Sequence, residues 1–103
     1  MSVVIVGGND RMQRVYSEVC AQYGCKTKIF MDNKGAVRKK IGSPDLLILF
    51  TSTVSHKLME SAVAEARRCN ARIARSHSSS LSALHGILRQ HCPTGTDGGA
   101  LNA

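Results

Sequence analysis

Leu46-Leu47-Ile48-Leu49-Phe50 is the most apolar run in the chain, and it opens directly into Thr51-Ser52-Thr53-Val54-Ser55-His56. Five apolar residues without alternation, closed by a polar loop, describe a strand buried on both faces. Such a strand belongs in the middle of a parallel sheet. The residues after it keep a different period. Leu58, Met59, Ala62, Val63 and Ala66 recur at steps of three and four, which predicts a helix from His56 to about Cys69 with one buried face.

The same unit recurs on either side. Ser2–Val6 is a continuous apolar strand ending in Gly7-Gly8-Asn9. Met12, Val15, Tyr16, Val19, Cys20 and Tyr23 follow at helical spacing, so Asp10–Tyr23 is predicted helical, with Gly24 as its stop. Cys25–Met31 alternates Lys26 and Lys28 with Thr27 and Ile29 and reads as an edge strand. Asp32-Asn33-Lys34-Gly35 is a turn before a short basic helix, Ala36–Ile41, and Gly42-Ser43-Pro44 leads into the central strand. Arg72–Arg75 is a weak fourth strand. Ser76-His77-Ser78-Ser79-Ser80 opens a last helix that carries Leu81, Leu84, Ile87 and Leu88.

This order predicts one α/β domain over residues 1–92, a four-stranded parallel sheet with helices on both faces. Right-handed crossovers make it Rossmann- or flavodoxin-like, with strand order 2-1-3-4. Residues 93–103, rich in Gly and small polar side chains, are predicted to be a disordered tail. In that strand order the chain reverses direction between strands one and three. The loops after Val6 and Phe50 then flank a crevice at the carboxyl edge, beside the Ser76–Ser80 loop, and a ligand is expected there.

Composition narrows the classes. The chain has 103 residues, 43% of them hydrophobic and 20% charged, which suits one soluble domain. Two Tyr, two Phe and no Trp argue against a stacking platform for single-stranded nucleic acid. A net charge of +7 favours anionic partners, although solvated helix faces account for basic residues equally well. No run approaches the length of a membrane helix, so no membrane partner is expected. The first residues are too short and wrongly flanked for a signal peptide, so a cytoplasmic protein with reduced thiols is expected. Its four cysteines, Cys20, Cys25, Cys69 and Cys92, form no C-x-x-C pair.

Several residues near the expected crevice carry chemistry. The Gly7-Gly8-Asn9 amides open a helix and can face an anion, and the absence of Cβ atoms lets a ligand approach; the same residues also make an ordinary tight turn. The G-x-G-x-x-G pattern fails, because Arg11 and Met12 stand where a further Gly is needed. Ser55 is placed to cap a helix, and His56 then lies in its first turn. There the positive end of the helix dipole favours neutral imidazole, whose lone pair a metal or haem iron requires. An unremarkable surface histidine satisfies the same position. Ser78 and Ser79, with their neighbours, offer hydroxyls to phosphate or carboxylate, or simply cap the last helix.

Enzyme classes are demoted one by one. A phospho-acceptor domain needs an aspartate ending strand three, where Phe50-Thr51 stands. Cys69 and Arg75 match C-x5-R formally, but the intervening residues read as helix end and strand. A Ser-His-Asp set lacks a well-placed acid. An enzyme is not favoured. Cys92-Pro93 after His91 matches a haem-responsive dipeptide, and equally a helix end followed by Pro.

Gly7-Gly8, Ser55-His56 and Ser80-Leu81-Ser82-Ala83-Leu84 together resemble a bacterial family catalogued as a domain of unknown function, over nearly the whole chain except the tail. The resemblance implies a small cytoplasmic Rossmann-like protein, with haem b and oxygen associated with some members. It makes His56 the first candidate axial ligand and His77 the second. Arg11 or Lys57 would then pair with the propionates, Met12 would line the apolar face, and Gly7, Gly8, Asn9, Thr51, Ser55, Ser78 and Ser79 would surround the ligand. A haem exposes much apolar surface for one small domain, so a homodimer is the expected partner arrangement. The alternative is an anion- or nucleotide-binding regulatory module on the Gly-Gly-Asn and serine-rich loops. Nucleic-acid binding through Lys34–Lys40 ranks last, since no recognition motif is present.

Overall fold

The computed structural model describes residues 1–30 and 42–91. Strands β1 (Ser2–Val6), β2 (Lys26–Phe30), β3 (Leu46–Phe50) and β4 (Arg72–Ser76) form one parallel sheet in the order β2-β1-β3-β4. Helices α1 (Gln13–Gln22), α2 (His56–Arg68) and α3 (Leu81–His91) cover it. The architecture is the Rossmann/flavodoxin-like α/β fold expected from the alternation of apolar runs and amphipathic segments.

Alternation along the strands divides the interior in two. Val3, Ile5, Leu46, Ile48 and Phe50 pack with Tyr16, Val19 and Cys20 of α1 and Leu84 and Leu88 of α3. Val4, Val6, Leu47 and Leu49 point the other way, against Leu58, Ala62 and Ala66 of α2. All five β3 residues are fully buried because helices lie over both of its faces. The small residues Ala62 and Ala66 let α2 lie close to the sheet.

Four boundaries differ from expectation. The first helix opens with a 3-10 turn, Asp10–Met12, before α1 proper. Asn9 holds that turn, its Oδ1 accepting from Arg11 N at 3.0 Å and its backbone oxygen from Met12 N at 2.9 Å. β2 pairs from Lys26 to Phe30, with Lys26 and Lys28 exposed on this edge strand. Cys69 caps α2 rather than continuing it, and Asn70 then takes a left-handed φ of 58°. Arg72–Ser76 pairs with β3 along its full length, stronger than its composition suggests, because β3 supplies a complete row of backbone partners. The predicted turn and helix at 32–41, Lys34–Lys40 among them, lie outside the described residues, as do Cys92 and the 93–103 tail. No helix of the described residues is long and apolar enough to cross a membrane.

Cys20, Cys25 and Cys69 are free thiols. Burial pushes the Cys20 thiol above its ordinary 9.0; the neighbouring Thr27 hydroxyl opposes this, and Cys25 nearby raises it further. Native protein therefore holds this proton more tightly than unfolded chain. The linked stability is complete below about pH 9 and falls as pH rises beyond it. Urea midpoints are expected to decline above that pH in the wild type, with a shallower decline in Cys20→Ala. Parallel slopes would refute this.

Candidate functional site

Parallel pairing sends the loops after β1, β3 and β4 to one edge, and hydrogen bonds join them there. Thr53 Oγ1 accepts from Gly8 N at 2.6 Å and donates to Phe50 O at 3.1 Å. Ser52 Oγ donates to His77 O at 2.5 Å, and Thr51 N to Ser76 O at 2.9 Å. Tyr16, fully buried, sends its hydroxyl up between two loops, accepting from Asn9 N at 3.2 Å and donating to Ser79 O at 2.7 Å. Asn9, His56 and His77 therefore stand on the same carboxyl rim.

The rim itself is filled by protein. The amides of Gly7, Gly8 and Asn9, expected to face an anion, donate instead to Phe30 O, Thr53 Oγ1 and the Tyr16 hydroxyl. A methyl group at Gly7 would stand 2.9 Å from Phe50 O, and one at Gly8 would stand 2.8 Å from Tyr16 Cε2. The missing Cβ atoms thus admit neighbouring loops and rings, not a ligand. Ser55 Oγ caps α2 by accepting from Leu58 N at 3.2 Å. Ser78 Oγ bonds Ser80 Oγ and accepts from Ser80 N, while Ser80 Oγ accepts from Ala83 N at 3.2 Å, so this serine cluster builds the start of α3. Met12 packs against the α1/α3 core, on the face of the sheet opposite α2, and does not line a surface beside His56. Arg11, Lys57 and His77 are exposed at the rim.

His56 leads away from the rim. Its side chain is 80% exposed, and its Nε2 lies 2.6 Å from Glu60 Oε1, one turn along α2. Glu60 in turn lines a groove of about 310 Å³ with Met59, Val63 and Arg67 of α2 and Arg75 of β4. At 3.6 residues per turn, positions 56, 59, 60, 63 and 67 fall within an arc of about 100°. The groove is therefore lined by one stripe of α2, with the Glu60 carboxylate, the Met59 and Val63 side chains and the Arg67 guanidinium, and by Arg75 from β4; His56 stands one turn before it and meets it through Glu60. Among the described residues neither Arg67 nor Arg75 joins an ion pair.

Glu60 and Arg67 escaped the reading of the sequence, Arg75 entered it only as part of a C-x5-R match set aside, and Met59 and Val63 were assigned only to the helix core. The spacing of His56 and Glu60 was available as a signal, since residues four apart on a helix meet. Arg75 had none, because it joins the stripe through strand pairing. Two further clefts, of about 330 and 850 Å³, open at the amino edge. The first is lined by Val4, Thr27 and Pro44, the second by Asp45, Cys69, Arg72 and His91. None of these three hollows lies on the carboxyl rim.

Fold and loops together define a small Rossmann-like α/β domain whose β1 loop is closed by its own hydrogen bonds. The chain belongs to the family described as "Uncharacterized protein conserved in bacteria (DUF2325)", whose model matches residues 2–91. No curated protein and no solved structure shows significant similarity to it.

Proposed function

We propose that this domain binds haem b along the α2 stripe, with His56 as axial ligand. The observation that carries the reading is the groove on α2 one turn beyond His56, lined by Met59 and Val63 together with Glu60, Arg67 and Arg75. An apolar plate bearing two carboxylates matches such a strip in kind. The strip receives the plate, and the guanidiniums receive the carboxylates. Among the described residues no three of His, Cys, Asp and Glu gather around a metal ion. A single imidazole holds iron firmly only where a macrocycle brings the remaining nitrogens, and porphyrin does so.

Haem held by His56 would supply diatomic-gas chemistry, and the protein would then have a binding or sensing role. The chain's own contributions are to hold the ring by an imidazole nitrogen, to desolvate one face with Met59 and Val63, and to neutralise the propionates. Arg67 and Arg75 replace Arg11 and Lys57 in that last task. A groove this shallow covers only part of a porphyrin, and we assign the remaining cover to a second copy of the chain. The nucleotide-module alternative has no comparable support, since the loop amides and the Ser55, Ser78 and Ser80 hydroxyls already serve protein partners.

Protein purified from haem-replete cells is expected to show a Soret band. Apoprotein is expected to take up haemin at one per chain or one per dimer, with a matching rise in sedimentation coefficient. A colourless protein that does not shift the haemin spectrum overturns the proposal.

A further inference from the structure

The C-terminal end of α1 brings two thiols together. Gly24, with φ +72°, turns the chain out of the helix. Gly24 N donates to Ala21 O at 2.9 Å, and Cys25 N donates to Cys20 O at 3.0 Å. These two bonds make a Schellman motif, in which the side chain three residues before the cap meets the one two residues after it. With Tyr23 as the cap, those side chains are Cys20 and Cys25, both buried in the core beneath α1. Their hydrogen bond also limits their separation. A carbonyl oxygen lies about 2.4 Å from its own Cα and an amide nitrogen about 1.5 Å, so the two Cα atoms are at most about 6.9 Å apart. The path bends at the nitrogen, where N–H stands at about 120° to N–Cα, and the separation therefore falls inside the range of about 4.4–6.8 Å that a disulfide spans.

We propose that Cys20 and Cys25 are a reversible redox pair, oxidised by small-molecule disulfides to an intramolecular disulfide that ties the end of α1 to the start of β2. The exchange takes two displacements. The Cys25 thiolate attacks a disulfide R–S–S–R, and R–S⁻ leaves with the electron pair of the broken S–S bond. The Cys20 thiolate then attacks the Cys25 sulfur of the mixed disulfide and expels the second R–S⁻. Both thiol protons end on the released thiolates, so R–S–S–R is reduced to two R–SH while the pair is oxidised. Cys25 reacts first because it is 7% exposed and Cys20 is 0% exposed. Burial keeps the closed pair protonated, and exchange proceeds through local opening of the turn. The disulfide fixes the seat of α1, which carries Tyr16 between the β1 and β4 loops. The pair lies across the sheet from the α2 groove and stands apart from the haem reading.

The test uses the full chain carrying Cys69→Ser and Cys92→Ser, which leaves Cys20 and Cys25 as its thiols. In mixtures of reduced and oxidised glutathione the chain should lose the mass of two hydrogens, and a digest should join the Cys20 and Cys25 peptides. Added reductant should reverse both changes. Native geometry that suits the disulfide must favour oxidation by the same factor as the disulfide favours folding. The equilibrium constant for oxidation, approached from the reduced and from the oxidised side, should therefore be larger in native protein than in urea-unfolded chain by on the order of tenfold. An equilibrium constant no larger in the native state overturns the proposal. So does a chain that stops at glutathione on Cys25, or one that stays reduced from both sides.

Discussion

Gly8→Ala is expected to destabilise the domain by about 3 kcal/mol, the sum of a strained backbone and an overfilled interior. Gly8 has φ +102°, a region that side chains of L-residues rarely enter. Its added methyl would also stand 2.8 Å from Tyr16 Cε2 and 3.1 Å from Phe50 Cδ2. Those two rings pack at 5.5 Å between centroids and are both fully buried, so neither can retreat without opening the core. Tyr16 also joins the β1 and β4 loops through its hydroxyl, so moving it loosens the rim as well. A domain of this size should lose roughly 12–20 °C in Tm. Gly86→Ala is the internal comparison. Gly86 lies within α3 with open space where a Cβ would go, so the change should stabilise by about 0.5–1 kcal/mol. Equal effects at the two positions in thermal melts would show that rim packing does not hold Gly8.

His56→Ala is expected to leave the fold intact and weaken haemin binding by roughly a hundredfold or more, about 2.8 kcal/mol, with loss of the ligated Soret spectrum. Folding should survive because the side chain is 80% exposed and touches no core residue cluster. Loss of binding without loss of stability would assign the effect to ligation. Arg67→Ala and Arg75→Ala should each weaken uptake while keeping the spectrum of ligated iron, since a propionate partner holds the group without touching the metal. His77→Ala should change neither. Should His77 and not His56 prove necessary for the spectrum, the ligand would belong on the β4 loop and the α2 groove would lose its assignment.

Much of the site depends on pairs that no linear spacing reveals. Ser55 as a cap was legible, because a hydroxyl before an amphipathic run has one common task at a helix start. Gly7 and Gly8 were legible as glycines required at a strand end, but their purpose was not. Whether a missing Cβ admits a ligand or a neighbouring ring depends on Tyr16 and Phe50, which approach from other elements. Met12 fits a helix face by period, and only the packing places that face across the sheet from His56. Arg75 looked like a failed phosphatase match and proved to be a groove residue, because β4 pairs with β3 in the register that sets it beside α2.

The amino-acid order by itself determined the parallel sheet, its strand order and the helices on both faces. Unbroken apolar strands alternating with one-sided helices bury their surfaces in few other ways, and crossover handedness removes most of those. Tertiary structure alone decided which of the loop and helix polar groups remain available. A backbone amide or hydroxyl bonds whatever partner comes within about 3 Å, and that partner usually arrives from a distant part of the chain. Thus the Gly7–Asn9 amides turned inward to Phe30, Thr53 and Tyr16, while the His56 stripe kept its open face.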